Sequence, residues 1–339
     1  MVALYDLSYA QLVDLLTTWD EPRFRADQVW RWLYRSLVDS VGSMTNLPQP
    51  LRHRLEVETR LSLLIPQTTK ISGSGQTHKV LFGLNDGNAI ESVLMLYEGR
   101  RTACISSQVG CGIGCIFCAT GQGGFSRNLT AGEIVAQVIY FARQLSQTPA
   151  DCSGGRGCEP DSDEQPETNV VLMGMGEPLA NYAATWQAIE TLADSRGYNL
   201  GARRITLSTV GLPPGIRRLA GEQLSVNLAI SLHAADDELR NQLVPINRRY
   251  PLAELMSAVR EYVRHTRRRV TFEYALIDGV NDHREQATRL VGLLAGLLCH
   301  VNLIPLNPPP GSPLRPSSPQ QVNSFLGELE AAGIPVTVR

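Results

Sequence analysis

The chain has 339 residues, 43% of them hydrophobic and 19% charged, with a formal net charge of -2 at pH 7. This length holds one large domain with an appendage, or two domains, and the composition excludes a disordered or fibrous chain. Near-neutral charge excludes a uniformly basic nucleic-acid coat, although local basic surfaces stay open. No charged-then-apolar leader opens the sequence and no apolar run is long enough to span a bilayer, so a cytoplasmic protein with no membrane partner is expected. Seven cysteines, odd in number and clustered, suit thiolates that serve a metal or catalysis in a reducing compartment better than a disulfide framework.

Residues 8–60 read as helical. Ser8 is an N-cap candidate, and a second amphipathic run covers 25–37. This appendage carries Arg23, Arg25, Arg31, Arg35, Arg52 and Arg54 interleaved with Trp30, Trp32 and Tyr34. Either the set tracks an RNA backbone and stacks on bases, or it is a solvated Arg face over an aromatic mini-core. All of the 31 Lys and Arg residues except Lys70 and Lys79 are arginine; the bias suits bidentate phosphate contacts and follows equally from a GC-rich genome.

Two apolar segments, 78–84 and 89–96, flank an Asp86-Gly87 turn, a strong hairpin signal. Glu91 lies within the second segment, so it either faces solvent by alternation or is a carboxylate placed inside, where burial would make it a usable proton acceptor. Beyond Thr102, β-rich runs at 102–106, 169–174, 204–209, 225–232, 269–277, 301–306 and 334–338 alternate with helical ones at 130–146, 180–195, 252–264, 284–298 and 319–332. Alternation of this kind implies a parallel sheet with crossover helices, and a partial or full (β/α) barrel fits. The Gly/Pro-rich acidic stretch 147–168 reads as a loop insertion, with Cys152 and Cys158 either a surface pair or incidental thiols. The basic run 264–269 either meets a phosphate backbone or complements a helix dipole.

The most informative motif is Cys111, Cys115 and Cys118, a C-x3-C-x2-C spacing in a Gly-rich stretch. Electron-carrying four-iron clusters are held by four thiolates. Three leave one iron open to chelate the amino and carboxylate groups of S-adenosyl-L-methionine (SAM), whose reductive cleavage yields a 5′-deoxyadenosyl radical. A zinc knuckle would share these soft ligands but needs a fourth Cys or His, and three unrelated buried thiols are the remaining reading. Other motifs fall at predicted strand ends: Gly176 can bring backbone close to a ligand, Glu177 can accept from an ammonium or a ribose hydroxyl, and Ser208, Ser231 and Asn307 can bond ribose or carboxylate. His233 beside Ser231 reads alone as a satisfied core histidine and by position as a ligand contact.

With the triplet in place, nearly the whole chain resembles the RlmN family of radical-SAM adenine methyltransferases. The matching text includes Phe24-Arg-Ala-Asp-Gln-Val-Trp-Arg-Trp-Leu-Tyr, Met44-Thr-Asn-Leu-Pro, Glu91-Ser-Val-Leu-Met, Cys104-Ile-Ser-Ser-Gln-Val-Gly-Cys, Gly121-Gln-Gly-Gly-Phe-Ser-Arg-Asn-Leu, Met173-Gly-Met-Gly-Glu-Pro-Leu, Ser208-Thr-Val-Gly, Ser231-Leu-His-Ala and Asn302-Leu-Ile-Pro-Leu-Asn-Pro. The resemblance implies an α/β fold: a partial (β/α) barrel of radical-SAM type over 101–339, an RNA-contacting helical domain over 1–65 and a β-hairpin connector over 66–100. It implies methylation of adenine carbon 2 in 23S rRNA and tRNA with one 4Fe-4S cluster and two SAM molecules, an electron donor such as flavodoxin or ferredoxin, and a monomer.

By motif match, Cys111, Cys115 and Cys118 hold the cluster, and Gly176, Glu177, Ser208, Ser231, Leu232, His233 and Asn307 contact SAM. Glu91 is the proton acceptor, and Cys104 is the resolving partner in a transient disulfide. In the family a further segment bearing a methyl-accepting cysteine follows a strand like that ending at Arg339, and Cys152, Cys158 and Cys299 do not match it. The expectation is a truncated chain whose 339 residues bind cluster and SAM and leave adenine unmethylated. Three alternatives stand beside this reading: carbon-8 methylation by the related enzyme, a metal-containing RNA-binding protein without methyl transfer, and radical chemistry on a small molecule.

Overall fold

A computed structural model describes residues 1–147 and 169–339; the expected acidic insertion, with Cys152 and Cys158, lies outside the described residues apart from Gln147. The chain forms two compact units, one of Met1–Val109, Asn128–Gly174 and Ala183–Ile205, the other of Gly110–Arg127, Met175–Tyr182 and Thr206–Arg339. This grouping differs from the partition at 65 and 100 because the helix Ala131–Gln147 anchors the N-terminal segment: Gly132 N–H donates to Asp6 Oδ1 at 2.7 Å, and Arg143 donates to Leu37 O at 2.7 Å and to Tyr5 Oη at 2.9 Å.

In the first unit, Ser8 and Gln11 form a capping box at the start of the helix Tyr9–Thr17, satisfying two orphan backbone donors at once. The helices Phe24–Tyr34 and Gln49–Glu58 follow. Trp30 and Tyr34 are fully buried, with Tyr9 edge-on to Trp30 and Tyr5 edge-on to Tyr34, so these two aromatics form a mini-core. Trp32 is half-buried and donates to Asn46 Oδ1 at 2.6 Å. Arg54 pairs with Glu58 and Arg35 donates to Ser195 O.

Four antiparallel strands come next: β1 (Ile65–Ile71), β2 (Thr77–Gly83), β3 (Ala89–Tyr97) and β4 (Arg100–Cys104), with β5 (Asn169–Leu172) parallel to β4. The predicted hairpin is β2–β3, its turn carrying Gly87 at φ +82°. β1 extends it unannounced, because every residue of β1 is exposed and no apolar alternation marks it. Val80, Phe82, Ile90 and Leu94 point inward, and Phe82 packs edge-on against Tyr140 and Phe141.

Gln137 of the 131–147 helix ties this sheet to the segment after Cys104. Its Oε1 accepts from Ser92 Oγ at 2.6 Å and Ser106 N–H at 2.7 Å, and its Nε2 donates to Ser106 O at 2.9 Å and Glu133 O at 3.0 Å. Gln137→Leu removes a hydrogen-bond partner of the buried Ser92 hydroxyl and of the Ser106 amide and carbonyl, and a buried polar group left unsatisfied costs about 1–3 kcal/mol. Chemical denaturation is expected to show a net loss of about 2–4 kcal/mol, partly offset by the added apolar surface.

The second unit is a parallel βα succession. Strands β6 (Ile205–Thr209), β7 (Asn227–Ser231), β8 (Val270–Leu276), β9 (Cys299–Pro305) and β10 (Val336–Val338) pair in sequence order, all parallel. The helices Pro213–Ala220, Leu252–Thr266, Arg284–Leu294 and Pro319–Ala331 make the crossovers, with a further short helix, Asp237–Leu243, after β7. Parallel strands buried under crossover helices are the arrangement expected of a (β/α) barrel segment. Two of these helices have no sequence expectation: Pro213-Pro-Gly reads as a loop although proline suits a helix's first turn, and Asp237–Leu243 is too short to show a period. Asp236 caps the latter, accepting from Leu239 N–H at 2.9 Å. In the basic run, Arg267 is a left-handed C-cap at φ +57° and Arg268 donates to Asn227 Oδ1 at 2.9 Å, so these two residues serve the local fold. Among the described residues no helix is long and apolar enough to cross a membrane.

Candidate active site

The second unit brings together the three cysteines and all seven residues expected to contact SAM. Gly110, at φ +73°, opens the Cys loop, and Cys111 N–H donates to Gly124 O at 2.8 Å to close its base. Cys118 N–H bonds to Cys115 O at 3.2 Å, Cys118 then starts the short helix Ala119–Gln122, and Gln122 Nε2 ties back to Ile116 O at 2.7 Å. Ile116 N–H reaches Leu243 O at 3.2 Å. Cys115 is buried among Ala234, Leu243, Val244, Ile277 and Leu306, with Ile113, Phe117 and Cys118 packed against them.

Strand ends supply the rest. Ser208 is the penultimate residue of β6 and Ser231 closes β7, their hydroxyls 3.5 Å apart. Leu232 N–H bonds to Glu273 O at 2.9 Å, with the Leu232 side chain fully buried. Asn307 is exposed just past β9, and Gly176 adopts φ +100°. Glu177 is buried, its carboxylate accepting from Leu179 N–H at 2.9 Å and Val210 N–H at 2.8 Å. Those two bonds tie the turn before Leu179 to the end of β6.

His233 reconciles its two readings. It sits at φ +61°, where a non-glycine residue is strained, and is held there by Ala275 N–H donating to Nδ1 at 3.0 Å and by Asn281 Nδ2 donating to its carbonyl at 2.8 Å. Phe117 stands edge-on to the ring, 4.7 Å between centroids. Burial, aided by the nearby Arg240 cation, lowers its pKa to about 3. The ring is therefore neutral at physiological pH, and with Nδ1 accepting, its proton resides on Nε2.

Burial dominates the ionisation of the thiols. It pushes Cys115 up to about 12, helped by Cys118 and Cys111 and opposed by Arg240. Cys111 is raised too, by burial first, with an Ile113 backbone bond opposing and Glu177 and Cys118 reinforcing. The three sulfurs thus lie within one another's field, next to a buried guanidinium. Among the described residues no three His, Cys, Asp or Glu side chains converge closely enough to hold one metal ion as they are placed. Three soft thiolate donors beside a cation have the chemistry for an iron-sulfur cluster, and the residues present fit that group.

Glu177 is held up at about 7, by burial against the opposing Val210, Leu179 and Thr209 bonds. Its folded-state pKa exceeds its unfolded value, so the folded chain binds the extra proton. This contribution to stability is fully present below about pH 4.5 and is lost as pH rises through about 7, on the order of 3 kcal/mol in all. Because His233, with its lowered pKa, carries linkage of opposite sign up to about pH 6.5, the decline is expected in the stability difference between the metal-free wild type and Glu177→Gln, which should shrink by that amount from pH 4.5 to 7.5 in denaturation experiments.

The remaining two site candidates belong to the first unit. Cys104 ends β4 between Val93 and Val171. Burial pushes its thiol up to about 11, with a Met173 backbone bond opposing. Beyond it, Gly174 N–H bonds to Ile105 O at 3.0 Å, and a Cβ on Gly174 would stand 2.7 Å from Ser106 Oγ. Glu91 takes the solvent-facing alternative: it is half-exposed and pairs with Lys79 Nζ at 2.7 Å. The described cysteines Cys104, Cys111, Cys115, Cys118 and Cys299 all carry free thiols, and no disulfide forms among them. Arg240, fully buried beside Cys115, had no sequence signal: an arginine in an unrecognised short helix reads as surface.

Two family models match the chain: the ribosomal RNA large subunit methyltransferase N-terminal domain over residues 2–61 and the radical SAM superfamily over 161–291. A probable dual-specificity RNA methyltransferase RlmN from a Roseiflexus species is 50% identical over 366 residues, covering 99% of this chain and 92% of the relative. The like-named protein of Chloroflexus aurantiacus is 52% identical over 342 residues, covering 99% and 88%. The crystal structure of a radical SAM methyltransferase from Sphaerobacter thermophilus superposes with a TM-score of 0.93 at 50% identity, covering all of this chain and 95% of the other. The α/β fold is accordingly that of a radical SAM partial barrel, and with half its residues identical over almost the full length of such relatives, the chain belongs to the RlmN family of radical SAM RNA methyltransferases.

Proposed function

We propose that this enzyme methylates carbon 2 of adenine in 23S rRNA and in tRNA, with two SAM molecules consumed in a radical mechanism. The observation that carries the reading is the glycine-supported loop placing Cys111, Cys115 and Cys118 beside the strand ends of β6 and β7, in a chain of the RlmN family. These three cysteines would hold a 4Fe-4S cluster. Bound there with SAM, such a cluster supplies the electron that cleaves the sulfonium and the radical that results.

The chain's own residues bind and orient. Gly176, Glu177, Ser208, Ser231, Leu232, His233 and Asn307 form the SAM contacts in this reading. The Gly176 backbone lacks a Cβ that would hold ligand away, the Ser208 and Ser231 hydroxyls offer both donor and acceptor, and His233 offers an Nε2–H donor because its Nδ1 is occupied. Cys104 rests as a neutral thiol, enclosed by β3, β5 and the Met173 amide; acting as the resolving partner requires removal of its proton. Glu91 is the proton acceptor, with Lys79 to stabilise its charge. Residues 1–65 would contact RNA, 66–100 connect and 101–339 catalyse, with flavodoxin or ferredoxin as electron donor and the enzyme acting as a monomer in the cytoplasm.

The test uses the protein expressed from its own gene, reconstituted anaerobically and given SAM, reductant and 23S rRNA or tRNA, with the modified nucleoside identified by mass spectrometry and NMR. A methyl on carbon 2 is expected. A methyl on carbon 8 overturns the assignment in favour of the alternative regiochemistry, and 5′-deoxyadenosine release with no methylated adenine in either RNA overturns both.

A further inference from the structure

Arg240 is completely buried and forms no ion pair with a carboxylate among the described residues. Its Nε donates to Leu232 O at 3.0 Å, Nη1 to Asn247 Oδ1 at 2.7 Å, and Nη2 to Val210 O and, at 3.3 Å, to Ser231 O. The three carbonyls end β6 and β7, so one planar guanidinium fixes the loops that carry Ser208, Ser231, Leu232 and His233. Asn247 is itself held, its Nδ2 donating to Asp237 Oδ1 at 2.8 Å, and that carboxylate accepts from Leu252 N–H at 2.8 Å. One turn beyond Arg240 in the same helix, Leu243 O receives Ile116 N–H from the Cys loop, and the Leu243 side chain packs on Cys115.

A buried cation whose hydrogen bonds all go to neutral acceptors is expensive, since carbonyl dipoles replace water incompletely and the Asp237 carboxylate, reached only through Asn247, offsets the charge from a distance. The cost is recovered if an anion arrives. The groups that face it from the Cys loop are thiols, and three thiolates on a four-iron core bring net negative charge to that place.

We propose that Arg240 is a positioning residue for the radical reaction: its fork holds the SAM-contacting ends of β6 and β7 in register with the Cys loop, and its fixed charge balances the thiolate-bound cluster next to Cys115. This rests on the cluster reading above. The fork is a geometric demand that lysine cannot meet, whereas the charge is one that lysine can. The two parts therefore separate by substitution.

The experiment compares wild type, Arg240→Lys and Arg240→Met after anaerobic reconstitution, reading iron content, cluster midpoint potential by EPR-monitored titration, SAM affinity, and melting of the metal-free proteins. In Arg240→Met the reduced cluster loses its neighbouring cation, so the potential is expected to fall by an amount equal to at least a tenfold change in the one-electron equilibrium, ~59 mV. Arg240→Lys is expected to keep the potential within threefold on that scale while weakening SAM about tenfold, because the β6 and β7 carbonyls lose their shared donor. A merely structural role would lower melting in both variants and leave the potential of any iron they retain unmoved. That result overturns the inference, as does a lysine variant with unchanged SAM affinity. If Arg240→Met does not fold, the lysine variant alone decides by its SAM affinity. Failure of wild type to take up iron would instead overturn the cluster reading on which this rests.

Discussion

Cys115→Ala is expected to reduce bound iron from about four per chain to below one and to abolish reductive cleavage of SAM, while the protein stays folded. Cys115 is 7% exposed and packs among Ala234, Leu243, Val244, Ile277 and Leu306, so replacing its sulfur by hydrogen leaves only a small apolar cavity, a cost of about 1–2 kcal/mol. The metal-free melting transition should therefore shift by only a few degrees. Serine would be the poorer probe, because its hydroxyl needs a partner that this apolar cluster does not offer. Cys299→Ala is the control: that cysteine is buried at the start of β9, at the other end of the strand from Asn307, and iron content should be unchanged. Iron analysis with ultraviolet-visible and EPR spectra checks both variants.

Gly110→Ala carries the second large effect. A Cβ at this position would lie 2.0 Å from Gly124 O and 3.2 Å from Phe125 Cα, both backbone atoms, and Gly110 already needs φ +73°. Gly124 O is the acceptor of Cys111 N–H at 2.8 Å, so the added methyl displaces the bond that closes the Cys loop. Left-handed strain of about 1–3 kcal/mol adds to the loss of that bond and to the enforced shift. The loop is expected to open and iron retention to fall at least fivefold. Gly114→Ala separates strain from clash: Gly114 also has φ +73° but nothing lies within 4 Å of its added Cβ, so that variant should retain its cluster and lose only about 1–2 kcal/mol. Iron per chain, measured for the two variants under one reconstitution protocol, checks the contrast.

These arguments show where sequence and structure part. The parallel strands were legible because buried strands read as short β-branched runs between helical periods, and their ends placed Ser208, Ser231 and Asn307 correctly along the chain. The cysteine spacing was legible because Cys111, Cys115 and Cys118 fall within eight residues of one another. β1 was not legible, since every residue of it faces water and Gln67-Thr-Thr-Lys carries no alternation. Nor was the unit partition: Asp6 bonding to Gly132 joins residues 126 positions apart, which no local period encodes. Glu91 was ambiguous by alternation alone and is settled by Lys79 from the neighbouring strand. Arg240 and Gln137 were invisible because polar residues on helices are usually solvated, and only the fold makes each a buried hub.

The central claim, that the Cys111, Cys115 and Cys118 loop is a three-thiolate radical-SAM site, is tested most directly by anaerobic reconstitution of the 339-residue chain with iron, sulfide, SAM and a low-potential reductant. The account predicts about four iron and four sulfide per chain, an EPR signal that changes when SAM is added, and SAM-derived 5′-deoxyadenosine. Tightly bound zinc in place of iron, with no 5′-deoxyadenosine formed, would contradict it.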